Sequence, residues 1–164
     1  MVIKRTISHI LNNTFSRKDY PWKSDINYRY QPDLYRVGKG EQGVLICEPY
    51  KSEILPHWKF KSTELAIESS ARIFELFEDY LERDDFVGAD LARKFLQMGF
   101  TRARRYANYK GGQKYDKEDH SILAKETGED EKARSAEIFY KFWQKAEHDE
   151  YYASAKKAWK NRLG

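Results

Sequence analysis

Seven basic side chains and no carboxylate lie between residues 91 and 114: Arg93, Lys94, Arg102, Arg104, Arg105, Lys110 and Lys114. The rest of the chain is slightly acidic, so this stretch accounts for the whole net charge of +4. Opposite charges normally intermix on a protein surface, and a run free of acids is the footprint expected of a polyanion site. Guanidinium forks bond phosphate oxygens in pairs, and lysines neutralise phosphates as point charges. If the segment is helical, Arg102, Arg105 and Tyr109 share one face, and Tyr109 is placed to stack on an unpaired base. The competing explanation is a solvated helix face. Its arginines would pair with acids of the preceding segment: Glu75, Glu78, Asp79, Glu82, Asp84 and Asp85.

Lys39, Glu48, Lys51 and His57 form a second group capable of chemistry. GKGEQG, residues 38–43, matches the spacing of a phosphate-cradling glycine loop. In a dinucleotide fold that loop opens a helix, whereas a β-type run follows here. Glycines that let a hairpin turn explain the pattern better, with phosphate contact by Lys39 as a secondary option. A glutamate and a histidine close together can do acid–base work. His57 sits between Pro56 and Trp58, however, and reads as a packed structural histidine. Asp116, Asp119 and His120 are crowded into one loop with no second ligand cluster, so no metal site is expected, nor any cofactor. Cys47 lies in the apolar run VLIC and reads as an inert buried thiol. No nucleophile–base spacing argues for an enzyme.

These residues need elements to hold them. The run from residue 63 to about 83 has helical periodicity, with Ser62 or Thr63 as cap and Ile67, Ala71, Phe74, Phe77 and Leu81 expected inward. A second helix turns Val87, Leu91, Phe95 and Met98 inward and stops at Gly99. Thr101 then caps a short third helix through Lys110. So short a turn would bring Arg93 and Lys94 beside the later arginines as one patch. Residues 113–129 read as loop. The C-terminal segment gives one long helix or two consecutive ones, with Ala136, Phe139, Phe142 or Trp143, and Ala146 on the core side. Residues 34–50 carry two short β-type runs around the glycines, a hairpin signal. Residues 19–32, with two prolines, are expected to wrap the body in extended form.

The chain of 164 residues fits one domain. Twelve Tyr, nine Phe and four Trp argue for a real core in spite of 34% charged residues. Residues 1–18, with four basic side chains and no acid, are expected to form a flexible arm before a single domain at 19–164. No apolar run approaches a membrane span. The expected fold class is α+β: mostly helical, with a small antiparallel hairpin or sheet in the N-terminal third.

GEQGVLICEPYKSEILPHWKF and FVGADLARKFLQMGFTRARRYANYKGGQKY carry a resemblance. The chain resembles a small family of bacteria, tailed phages and large eukaryotic viruses, catalogued as a domain of unknown function. The resemblance runs from about Phe15 to near the C-terminus, and residues 113–130 depart from the family's more basic, proline-containing loop. It implies a cytoplasmic, often virus-encoded protein and no particular activity. It also favours Gly38, Gly40, Gly43, Glu48, Lys51, His57 and Trp58 as a cluster that would join the arginines in one polar pocket if the fold brings the segments together.

The expected function is a nucleic-acid-binding accessory protein that grips phosphates with little sequence preference. One alternative is a small enzyme or binding domain for a phosphorylated metabolite or nucleotide. Another is a phage structural or host-interaction protein whose basic helix docks an acidic protein partner.

Overall fold

The computed structural model describes residues 20–109 and 130–164. Five α-helices are present in this part: α1 (Tyr50–Ile54), α2 (Thr63–Glu82), α3 (Phe86–Asn108), α4 (Asp130–Glu147) and α5 (Glu150–Leu163). Single 3-10 turns stand at Pro32–Leu34 and Leu55–His57. The expected basic arm, residues 1–18, lies outside the described residues.

Helix α3 is the axis of the fold. Every residue from Phe86 to Leu96 is buried, and α1, α2, α4 and α5 all pack against it. Its N-cap is Asp85, whose carboxylate accepts from the Gly88 N–H at 3.0 Å. Helix α2 begins at Ser62, whose hydroxyl accepts from the Leu65 N–H. Asp149 caps α5 by accepting from Tyr152 N–H at 2.8 Å, which makes the C-terminal segment two helices. Each cap satisfies an N–H that has no partner within its own helix.

The α+β expectation is overturned. Among the described residues there is no β-strand, and the fold is all-α. The nearest thing to a sheet is one isolated parallel bridge, Asn27 to Glu48. The glycine-rich segment folds as successive turns around the Trp22 indole instead of pairing with itself. A Cβ on Gly38 or Gly43 would stand 2.4 or 2.5 Å from that ring, and both glycines have positive φ. The carbonyls a hairpin would give to cross-strand N–H groups are taken by cations of α3. Lys94 Nζ donates to Val37 O (2.6 Å) and Gln42 O (2.5 Å), and Arg93 Nη1 donates to Gly40 O (2.8 Å).

Two helix readings also change. Gly99 does not end a helix and Thr101 does not cap a new one, because α3 runs through both, 23 residues from Phe86 to Asn108. It is instead where α4 comes closest: a Cβ there would be 2.3 Å from the Phe139 ring. On α2 the buried stripe is Ala66, Ser70, Ile73, Phe77 and Tyr80, with Ser69 and Leu76 beside it. Ile67 and Ala71 face outward. The inward residues expected on α3 (Val87, Leu91, Phe95, Met98) and on α4 (Ala136, Phe139, Ala146) are all buried.

Candidate nucleic-acid interface

The seven basic residues divide into three groups. Arg93 and Lys94 are 2% and 0% exposed and take no part in any surface. Arg102, Arg104 and Arg105 stand on the last two turns of α3, exposed or half-exposed. Lys110 and Lys114 lie outside the described residues, as do Asp116, Asp119 and His120.

Arg93 and Lys94 belong to a buried polar cluster around Asp90. Asp90 Oδ1 accepts from Arg93 Nη2 at 2.7 Å and from the Tyr152 hydroxyl at 2.5 Å, while Oδ2 accepts from the Tyr35 hydroxyl. Arg93 Nε donates to the Tyr152 oxygen at 2.8 Å, and Nη1 also donates to Gln97 Oε1. The half-buried Glu147 carboxylate is 3.4 Å from Arg93 Nε. Burial alone would raise the Asp90 carboxyl, but the Arg93 and Lys94 charges and the two tyrosine hydroxyls outweigh it and hold the group at about 2. Lys94 has no carboxylate in ion-pair contact among the described residues. Burial pulls its ammonium down to about 8, and the rings of Trp22 and Tyr35 face it at 4.9 and 5.4 Å. The glycine loop therefore turns carbonyls toward cations, the opposite polarity from a loop that cradles phosphate with N–H groups.

The second group does not converge in the hollow around His57. His57 shares that 260 Å³ space with Lys59, Glu68 and Arg72, and none of Glu48, Lys51 and the three arginines lines it. Glu48 accepts from Ser52 N–H and so holds the first turn of α1. Lys39 is exposed on the glycine loop, and Trp58 donates from its indole to Phe95 O. Cys47 is buried, and burial pushes its thiol up to about 12, far from a nucleophile's range.

At the C-terminal end of α3 the arginines alternate with aromatic rings. The Arg102 guanidinium lies 6.0 Å from the Trp58 ring, and Arg104 lies 6.0 Å from Phe100. Tyr106 packs on Phe60 at 5.9 Å. Neither Arg102 nor Arg104 forms an ion pair with a described residue; Arg29, Arg72, Arg93 and Arg162 do, and Arg36, Arg83 and Arg134 do not. Three of the six acids expected to neutralise the arginines are engaged elsewhere, Glu75 with Arg72, Asp85 with Tyr50 and Arg29, and Asp84 with Tyr151, and Glu78, Asp79 and Glu82 form no ion pair with Arg102 or Arg104. Asp85 caps the far end of α3, about 25 Å away along a helix axis at 1.5 Å per residue. Tyr109 is 5% exposed, packed inward where α3 ends, and its ring is not open to a base.

Sequence reasoning missed the aromatic surface beside Arg104. Phe100 on α3 and Tyr140 on α4 have ring centroids 5.3 Å apart, and Trp143 backs both at 5.6 and 5.7 Å. Tyr140 is 45% exposed. The signal was the phase of α4: Tyr140 falls outside the stripe Ala136, Phe139 and Ala146. A larger hollow of 570 Å³ lies at the other end of α3, among Arg29, Arg162, Asp33, Asp85 and Trp159. Arg29 is bidentate with Glu53 and Arg162 pairs with Asp33, and the acids Asp33, Asp84 and Asp85 line the hollow beside Arg83, so it offers a phosphate little net positive charge.

An all-α protein whose longest helix ends in a group of arginines bordered by aromatic rings is the class that fold and surface define. The chain belongs to the family described as a domain of unknown function, DUF4385, which it matches over residues 18–162. No curated protein and no solved structure is significantly similar to it. No described helix is long and apolar enough to cross a membrane.

Proposed function

We propose that the protein binds nucleic acid as an accessory factor, gripping the phosphate backbone with Arg102, Arg104 and Arg105 at the end of α3 and with little sequence preference. The observation that carries this reading is the grouping of three arginines on the last two turns of α3, with aromatic rings beside Arg102 and Arg104 and no described carboxylate within 4 Å of either. The Glu41 carboxylate, which accepts from the Thr101 hydroxyl, acts on Arg102 without forming an ion pair with it, and guanidiniums outside ion-pair contact and bordered by rings suit a strand that offers both phosphates and bases. Lys110 and Lys114 continue the same basic run in sequence and extend the proposed grip. Arg93 and Lys94 lie inside the fold and serve it by holding Asp90 and the glycine loop. On this reading the protein acts in the cytoplasm of a bacterium or of a cell infected by a virus that encodes it, the setting the sequence resemblance implies.

The test is binding of labelled DNA and RNA, single-stranded and duplex, across a series of salt concentrations. Wild type is expected to bind more weakly as salt rises. An Arg102→Ala, Arg104→Ala double variant, folded by circular dichroism, is expected to bind all four probes more weakly and to reduce the salt slope by about 1 to 2. Absence of wild-type binding to any of the four at low salt overturns the proposal.

A further inference from the structure

The surface beside Arg104 is more than a phosphate contact. Phe100, Tyr140 and Trp143 form a three-ring cluster across the α3–α4 seam. Next to it lies a hollow of 280 Å³ whose walls are mainly apolar, bounded by Phe100, Arg104, Glu137, Tyr140 and Lys141. That volume falls just below the range of pockets for drug-sized molecules, about 300–1,000 Å³, and suits a single planar ring system. Tyr140 is held by ring contacts on one side yet stays 45% exposed. Two cations, Arg104 and Lys141, flank the opening from the two helices. Glu137 adds one carboxylate, and it pairs with neither cation.

We propose that this hollow takes one unpaired base of a bound strand, so that the ligand is single-stranded DNA or RNA rather than a duplex. The inference rests on the nucleic-acid reading and assigns its substrate class. The base stacks on Tyr140 and Phe100, while Arg104 and Lys141 hold the phosphates on either side. The Glu137 carboxylate accepts a hydrogen bond from an amino group on the base edge. A duplex keeps its bases stacked and paired, and can offer this surface only its phosphates. Charge sets a base preference as well. Cytosine presents an amino donor to a carboxylate, whereas thymine presents a carbonyl oxygen at the corresponding position, which the carboxylate repels.

Fluorescence anisotropy tests this with labelled 12-nucleotide dC and dT strands and a duplex of the same length, together with a strand carrying 2-aminopurine as a stacking reporter. Wild type is expected to bind the strands more tightly than the duplex, to favour dC over dT, and to quench 2-aminopurine. Tyr140→Ala should weaken strand binding roughly 5- to 100-fold, leave duplex binding near its wild-type level and lose the quenching. Tyr140→Phe keeps the ring and should keep all three, which separates stacking from a folding defect. Glu137→Gln should narrow the preference for dC. If wild type binds strands but Tyr140→Ala matches it in affinity and quenching, the base site is overturned and the phosphate grip stands. If wild type binds no nucleic acid, both fall.

Discussion

Asp90 is the residue on which the interior depends. It is the carboxylate in direct contact with Arg93 deep in the fold, and it accepts from two tyrosines whose own hydroxyls are buried. Asp90→Asn keeps the shape and removes the charge, leaving Arg93 with only the more distant Glu147. Loss of one partner of a buried pair costs about 3–5 kcal/mol, and urea unfolding should show a loss of that size. Tyr152→Phe removes one hydrogen-bonding hydroxyl and should cost about 1–3 kcal/mol. The pH dependence has a definite sign. The folded carboxyl stands at about 2 against 3.8 for the free side chain. Its stabilisation of about 2 kcal/mol is present above pH 3.8 and fades as pH falls toward 2. The gap between wild type and Asp90→Asn should therefore shrink over that window. Sequence placed Arg93 and Lys94 with the surface arginines because such side chains are almost never fully buried unless paired. The partners that bury Lys94 are backbone carbonyls more than 50 positions earlier, which no local spacing reveals.

At the scale of elements, helix periodicity was legible and helix ends were less so. The extent of α2 and the inward face of α3 follow from their apolar repeats. The stripe on α2 came out rotated because serines were counted as polar surface. Ser70 is buried with its hydroxyl bonded back to Ala66 O, and the small side chain fits a close-packed face. Gly99 misled in the same way. A glycine late in a helical pattern reads as a stop, but this one gives Phe139 room against the α3 backbone. Gly99→Ala makes the test. In an exposed helix the change would gain about 1 kcal/mol of helix propensity. Here the added methyl meets three ring atoms of Phe139 at 2.3 to 2.7 Å, and overpacking of this kind costs about 1–3 kcal/mol. Thermal unfolding should show a net loss, and Phe139→Leu in the same chain should recover part of it.

On the scale of the whole molecule, aromatic content forecast a real core, but not how the glycine loop closes. That loop is set by Trp22 and by the α3 cations, which come from both sides of it in sequence, so turn chemistry alone suggested a hairpin. The same tertiary logic buries tyrosines throughout. Tyr28, Tyr35, Tyr50, Tyr80 and Tyr152 are each 1% exposed or less. Burial raises all five hydroxyls above the ordinary value of 10.0, and neighbouring carboxylates raise each of them further: Asp90 for Tyr35 and Tyr152, Asp85 for Tyr50, Glu53 for Tyr80 and Asp25 for Tyr28. An unfolded chain loses these protons near pH 10 while the folded chain keeps them, so the fold's advantage is intact below pH 10 and declines as pH rises beyond it. Lys94 acts in the other direction: its folded ammonium releases a proton at about 8 and the unfolded one at 10.5, which favours the fold as pH climbs between those values. One lysine cannot offset five tyrosines once pH passes 10.5, where its own contribution is constant. Absorbance of tyrosinate followed against pH should therefore show a late, abrupt rise coincident with the loss of helical circular dichroism. A single gradual rise with the helices intact would show that these hydroxyls are not held by the core.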